Sequence, residues 1–163
     1  MCYRAHFCGK IIVIILTLWV QHAVGQKTTI IKFEALQKIL DTESNQVQVI
    51  NFWATWCAPC VKELPLLEKL NAQKNLNVKI TLVSLDFSEK VDNVNAFIKR
   101  KNIRSEVLLL DEIDYNSWIN KVDKQWSGAI PATLIFNPRT KQRVFLEKGL
   151  KEGELENLIA DLR

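Results

Sequence analysis

Apolar and polar positions in this chain switch between a two-residue and a 3.6-residue period, and the switches mark out alternating strands and helices. Thr28-Thr29-Ile30-Ile31-Lys32 is a short β-prone run, read as an edge strand. Phe33, Leu36, Ile39 and Leu40 recur at helical spacing, which predicts a helix over 33–40, closed by the loop Thr42-Glu43-Ser44-Asn45. Residues 47–53 read as the first core strand, apolar enough to be covered on both faces. Leu64, Leu67 and Leu70 carry a helix from the cysteines at 57 and 60 towards Ala72, with Pro65 expected to interrupt and kink it. Residues 78–85 form a second core strand ending at Asp86. Val91, Val94, Phe97 and Ile98 then give a helix over 90–101. Its last turn holds Lys99-Arg100-Lys101, where the helix dipole favours cations, so this basic run reads as a helix end and not a binding patch. A third strand over 107–110 precedes a helix over 114–124 with Trp118, Ile119 and Val122 on its inner face. Residues 133–136 and 143–146 read as antiparallel strands joined by the turn-forming Asn137-Pro138-Arg139-Thr140, with Gly149 ending the hairpin. Leu155, Leu158, Ile159 and Leu162 make an amphipathic closing helix over 150–162.

A chain of 163 residues, 48% hydrophobic and 25% charged, is long enough for one globular domain with a real core, and it contains no repeat or low-complexity tract. Residues 1–25 read as a secretory leader. Arg4 and Lys10 give a positive start, 11–20 an unbroken apolar run, and Ala23-Val24-Gly25 a small-residue cleavage site. Cleavage leaves a domain over 26–163; an uncleaved anchor is the competing reading, against which the apolar run is short of the ~20 residues a spanning helix needs. Removing Arg4 and Lys10 with the leader takes the formal charge from +4 to +2, too mild to argue for nucleic acid or an anionic membrane.

The leader also takes Cys2, Cys8, His6 and His22 with it, so the mature chain keeps Cys57 and Cys60 alone. They sit in Trp56-Cys57-Ala58-Pro59-Cys60, where a β-prone run gives way to a helical one. Two cysteines at this spacing can close a small disulfide ring. The free N–H groups and partial positive charge of a helix N-terminus favour a thiolate at Cys57, and Pro59 suits a first helical turn. A half zinc site and a purely structural disulfide are the other readings. Zinc wants four Cys or His ligands, which the mature chain does not supply, and so short a loop adds little entropic stabilisation. A vicinal pair in an oxidising compartment points instead to redox work.

Phe52-Trp53-Ala54-Thr55-Trp56-Cys57-Ala58-Pro59-Cys60 resembles the thioredoxin superfamily, and Glu63-Leu64-Pro65 after it resembles the extracytoplasmic TlpA/ResA-type thiol–disulfide oxidoreductases. The resemblance implies an α/β thioredoxin fold: a central mixed β-sheet with helices on both faces and a strand–helix insertion before a cis-proline. It places that proline at Pro131, after Ile130, opposite the cysteines. The backbone beside such a proline can pair with an incoming peptide as an added strand. It assigns catalysis to Cys57 and Cys60, with Trp56, Ile130 and Pro131 contacting substrate and Trp56 shielding the sulfurs. Where thioredoxins proper carry a buried Asp under the cysteines, this chain has Asn51, which cannot titrate. Glu63, one turn after Cys60, is therefore the candidate acid/base partner, a solvated helix-surface carboxylate being its alternative. Trp53 and Trp118 read as core; Trp126 either flanks the docking groove or packs in the core.

The implied activity is reduction of disulfides in extracytoplasmic proteins, as in cytochrome maturation, by dithiol exchange in the bacterial periplasm. The implied enzyme is a monomer with no cofactor, served by protein substrates and a membrane-bound thiol electron donor. An oxidase or isomerase of secreted proteins is the alternative. A metal-binding module would need a wider cysteine spacing and a histidine, and a thiol peroxidase a PxxxTxxC pattern; the mature chain has neither.

Overall fold

The computed structural model describes residues 27–73 and 76–163; the expected leader lies outside them. Six strands form one sheet: β1 (Thr29–Ile31), β2 (Val47–Trp53), β3 (Val78–Ser84), β4 (Glu106–Leu110), β5 (Ala132–Phe136) and β6 (Arg143–Leu146), in the order β1-β4-β3-β2-β5-β6. The pairs β1–β4, β4–β3 and β3–β2 are parallel, while β2–β5 and β5–β6 are antiparallel, so the sheet is mixed. Among the described residues, five α-helices accompany the sheet: α1 (Phe33–Leu40), α2 (Ala58–Asn71), α3 (Val91–Lys101), α4 (Ile119–Val122) and α5 (Glu154–Asp161).

The alternation of β2 sorts the core into two layers. Val47, Val49 and Trp53 face Leu64, Leu67 and Leu70 of α2, with Val94, Phe97 and Ile98 of α3 and Leu155 and Ile159 of α5 in the same cluster. Ile50 and Phe52 face the other way, onto Phe33 and Leu36 of α1 and the aromatic group Trp118 and Trp126. Each leucine so buried contributes about 1.5–3 kcal/mol relative to exposure. Trp53 and Trp118 are both core residues, as their positions in the pattern predict, and Trp126 is buried against Phe52 and Phe145.

Three segments differ from the pattern. Helix α2 continues through Pro65 to Asn71, its buried leucines holding the last turns against the sheet despite the missing N–H. The helix expected over 114–124 is a single 3-10 turn at Tyr115–Ser117 followed by the four residues of α4. Trp118 and Val122 are buried as expected, so the periodicity marked a covered face and not a continuous helix. The closing helix starts at Glu154, after Gly153, whose left-handed backbone at φ 77° breaks the helical run expected from Leu150.

Candidate active site

Two strand ends build the site. β2 ends at Trp53, and its antiparallel pairing with β5 sets Phe52 opposite Ala132, so the segment entering β5 lies beside the segment leaving β2. The first carries Ile130-Pro131 and the second carries Cys57, which is how residues 73 apart in sequence come together.

Cys57 is the N-cap of α2. Its backbone is extended, at φ −85° and ψ 97°, and its Sγ accepts the Cys60 N–H at 3.3 Å. Pro59 stands in the first turn, where its missing N–H costs nothing. Cys57 and Cys60 are joined by a disulfide. Cys60 is completely buried and Cys57 is 6% exposed, so Cys57 is the member of the pair nearer the surface. The same helix-tip N–H that contacts Sγ in the disulfide is placed to stabilise a thiolate there once the pair is reduced.

The loop before Cys57 is held by Asp86, at the end of β3. Its carboxylate accepts the Thr55 N–H at 2.9 Å, the Thr55 hydroxyl, and the Ser84 hydroxyl at 2.7 Å. Asp86 is buried, and nothing in its sequence neighbourhood signals this role beyond its place at a strand end.

On the inner side of α2, Glu63 is 3% exposed, which removes the reading of a solvated surface carboxylate. Its Oε1 accepts from Asn51 Nδ2 at 2.8 Å and its Oε2 from the Leu150 N–H at 2.7 Å. Asn51 Nδ2 also donates to Thr133 Oγ1 at 3.0 Å, tying β2, β5 and α2 together beneath the disulfide. Burial pushes the Glu63 carboxyl above its ordinary value; the hydrogen bonds from Leu150 and Asn51 pull it down and only partly offset that.

Facing the sulfurs is the Ile130-Pro131 peptide bond, which is cis. The Ile130 carbonyl oxygen lies 3.8 Å from Cys57 Sγ. Among the described residues, the Ile130 N–H has no hydrogen-bond partner. The segment before it is shaped by three contacts. Trp126 Nε1 donates to the Ala129 carbonyl at 2.8 Å, which commits this tryptophan to both core and loop. The Glu147 carboxylate accepts the Ala129 N–H at 2.9 Å, the Ser127 N–H at 3.2 Å and the Ser127 hydroxyl. Gly128 takes φ +95°, which a side chain resists, and an added Cβ would also sit 3.1 Å from Ile119 Cδ1. Partial burial works against ionisation of Glu147, but the Ser127 and Ala129 donors hold its carboxyl below the usual value.

The structure thus brings together five of the six expected site residues: Cys57 and the half-buried Ile130 at the mouth of the site, with Cys60, Pro131 and Glu63 buried behind them. The sixth, Trp56, adjoins Cys57 in the chain and is 67% exposed. Asp86 and Glu147 escape a reading by motif because each acts on a segment some 20–30 residues distant. Among the described residues, no three His, Cys, Asp or Glu side chains converge as metal ligands.

The Redoxin family profile matches residues 34–140, which takes in both halves of the site. The chain belongs to the Redoxin family. It is 32% identical over 126 residues to the thiol-disulfide oxidoreductase ResA of Oceanobacillus iheyensis, an alignment covering 77% of this chain. The chain spans 61% of that relative's length. Among solved structures, a thioredoxin-related protein from Neisseria meningitidis serogroup B superposes with a TM-score of 0.65 at 25% identity, covering 76% of this chain and 89% of its own. A DsbF homologue from Corynebacterium diphtheriae gives 0.60 at 18% identity, with 73% of both chains covered, and speaks for the fold alone. The fold is that of thioredoxin, its six-stranded mixed sheet flanked by helices.

Proposed function

We propose that this Redoxin-family chain is a thiol–disulfide oxidoreductase that reduces disulfides in extracytoplasmic proteins. The observation that carries the reading is the Cys57–Cys60 disulfide at the tip of α2, with Cys57 the less buried of the two and the Ile130 carbonyl beside it. In the reduced enzyme, Cys57 thiolate attacks one sulfur of a substrate disulfide. The substrate S–S bond breaks, its other sulfur leaves as a thiolate and takes a proton, and a mixed disulfide to Cys57 remains. Cys60 then loses its proton and attacks Cys57 Sγ; the second substrate sulfur leaves as a thiol and the Cys57–Cys60 bond closes. The substrate has gained two electrons and two protons; both electrons and the Cys60 proton come from the enzyme, and the second proton comes from solvent, because Cys57 starts as a thiolate.

Glu63 is the acid/base partner in this scheme. Its raised proton affinity and its position one turn below Cys60 suit it to accept the Cys60 proton and return it. The exposed ring of Trp56 and the open backbone of Ile130 contact the substrate segment, Pro131 fixing that backbone opposite the sulfurs. Residues 1–25 act as a secretory leader, the enzyme works as a monomer in the periplasm, and a membrane-bound dithiol re-reduces it. Among the described residues no helix is long and apolar enough to cross a membrane.

Trapping tests the scheme. Cys60→Ser leaves the attacking thiol and removes the resolving one, so mixed disulfides through Cys57 accumulate in an extract and dissolve with dithiothreitol. Absence of adducts under mildly oxidising conditions, or equal adducts with Cys57→Ser, contradicts it. A reduction potential measured on the wild-type pair sets the direction of electron flow.

A further inference from the structure

The carboxylate of Glu147 holds the segment before Pro131, and it does so from a different strand end. Leu146 pairs with Thr133, so Glu147 follows β6 directly opposite the entry to β5. From there it receives three donors of Ser127 and Ala129, the two N–H groups and the hydroxyl. The Trp126 indole takes the Ala129 carbonyl from the other side. These contacts satisfy the backbone on either side of Gly128 and stop one residue short of Ile130. What they leave free are the two backbone groups nearest the sulfur: the Ile130 carbonyl at 3.8 Å from Cys57 Sγ, and the Ile130 N–H.

We infer that Glu147 is a positioning residue that presents the Ile130 backbone to an extended polypeptide, making this site selective for polypeptide disulfides over small ones. The inference rests on the oxidoreductase reading above and adds a residue to it. A charge-assisted carboxylate with three donors orders a segment that would otherwise lose conformational freedom each time a peptide pairs with it. A small disulfide needs only Cys57 and gains nothing from the ordered backbone.

Reduced full-length chain is assayed with two probes, insulin as a polypeptide disulfide and 5,5′-dithiobis(2-nitrobenzoic acid) as a small one. Glu147→Gln keeps the size but offers one acceptor in place of a carboxylate. It raises KM for insulin roughly five- to tenfold, leaves kcat within about twofold, and leaves the small-disulfide rate and the Cys57–Cys60 potential unchanged. A loss shared by both probes, or an unchanged insulin KM, overturns the inference. Ser127→Ala, which removes only the hydroxyl contact, gives a smaller shift of the same kind, and serves where Glu147→Gln does not fold. Wild-type activity on the small probe but not on insulin also overturns it. Wild-type inactivity on both defeats the oxidoreductase reading itself, and the inference with it.

Discussion

Glu63 occupies a helix position that its sequence neighbours leave undecided. It lies between Lys62 and Leu64, and only the packing of α2 on β2 and the loop at Gly149–Leu150 puts it inside. Because burial raises its proton affinity, the folded state holds a proton that the unfolded chain has already released as pH climbs past the ordinary carboxylate value. The folded state binding more protons means that stability falls with rising pH, from that value up through the raised one. Denaturant midpoints measured across this window decline for the wild type and flatten for Glu63→Gln; parallel curves would show that Glu63 titrates as an ordinary surface acid. Glu63→Ala strands the Leu150 N–H and one of the two N–H groups of Asn51 Nδ2, both buried donors, at a cost of about 1–3 kcal/mol each. What the sequence disclosed at this scale were the residues whose role is local. Cys57, Cys60 and Pro131 announce themselves by spacing and by resemblance. Asp86 and Glu147 do not, since a carboxylate at a strand end means nothing until the sheet order places a loop within its reach.

At the scale of elements, β2 and α2 form one device: the strand delivers Cys57, and the helix tip meets it with the Cys60 N–H. Asp86 sets the join by gripping Thr55 through both backbone and side chain. Asp86→Ala removes the acceptor for three donors and lowers stability by about 2–4 kcal/mol. It also loosens the approach to Cys57, which registers as faster hydrogen exchange at Thr55–Cys57 than in the rest of the sheet; uniform exchange would argue against a specific brace. Gly128→Ala meets both a positive φ and the Ile119 side chain, and costs about 1–3 kcal/mol by thermal unfolding. Periodicity was a good guide to α1, α3 and the β5–β6 hairpin, whose faces are apolar at one clean period. It failed to resolve 114–124, where Trp118 and Val122 need only be covered, and one turn of helix suffices to cover them. The start of α5 was equally hidden, because apolar spacing does not show that Gly153 takes a left-handed backbone ahead of the helix.

For the whole molecule, the decisive feature is the change from parallel to antiparallel pairing at β2–β5. Three parallel contacts carry β1 to β4 with helical crossovers; reversing β5 turns its entry point towards the exit of β2. That one reversal sets Pro131 and Ile130 against Cys57, and gives the reactive sulfur a backbone neighbour instead of open solvent. No local pattern contains this information; the resemblance to thioredoxins did. Two core layers then hold the arrangement from either face, with the aromatic cluster of Trp118 and Trp126 under the cis-proline segment and the leucines of α2 under the disulfide.

The account rests on Cys57 being a thiolate poised by the helix that Cys60 helps begin. The reduced protein, pulse-alkylated with iodoacetamide across pH and read by mass spectrometry, measures this directly. The predicted result is one fast cysteine, Cys57, with a rate midpoint clearly below the ~8.5 of a free thiol, while Cys60 stays protected. Equal labelling of the two, or a Cys57 midpoint at or above that of a free thiol, would contradict it.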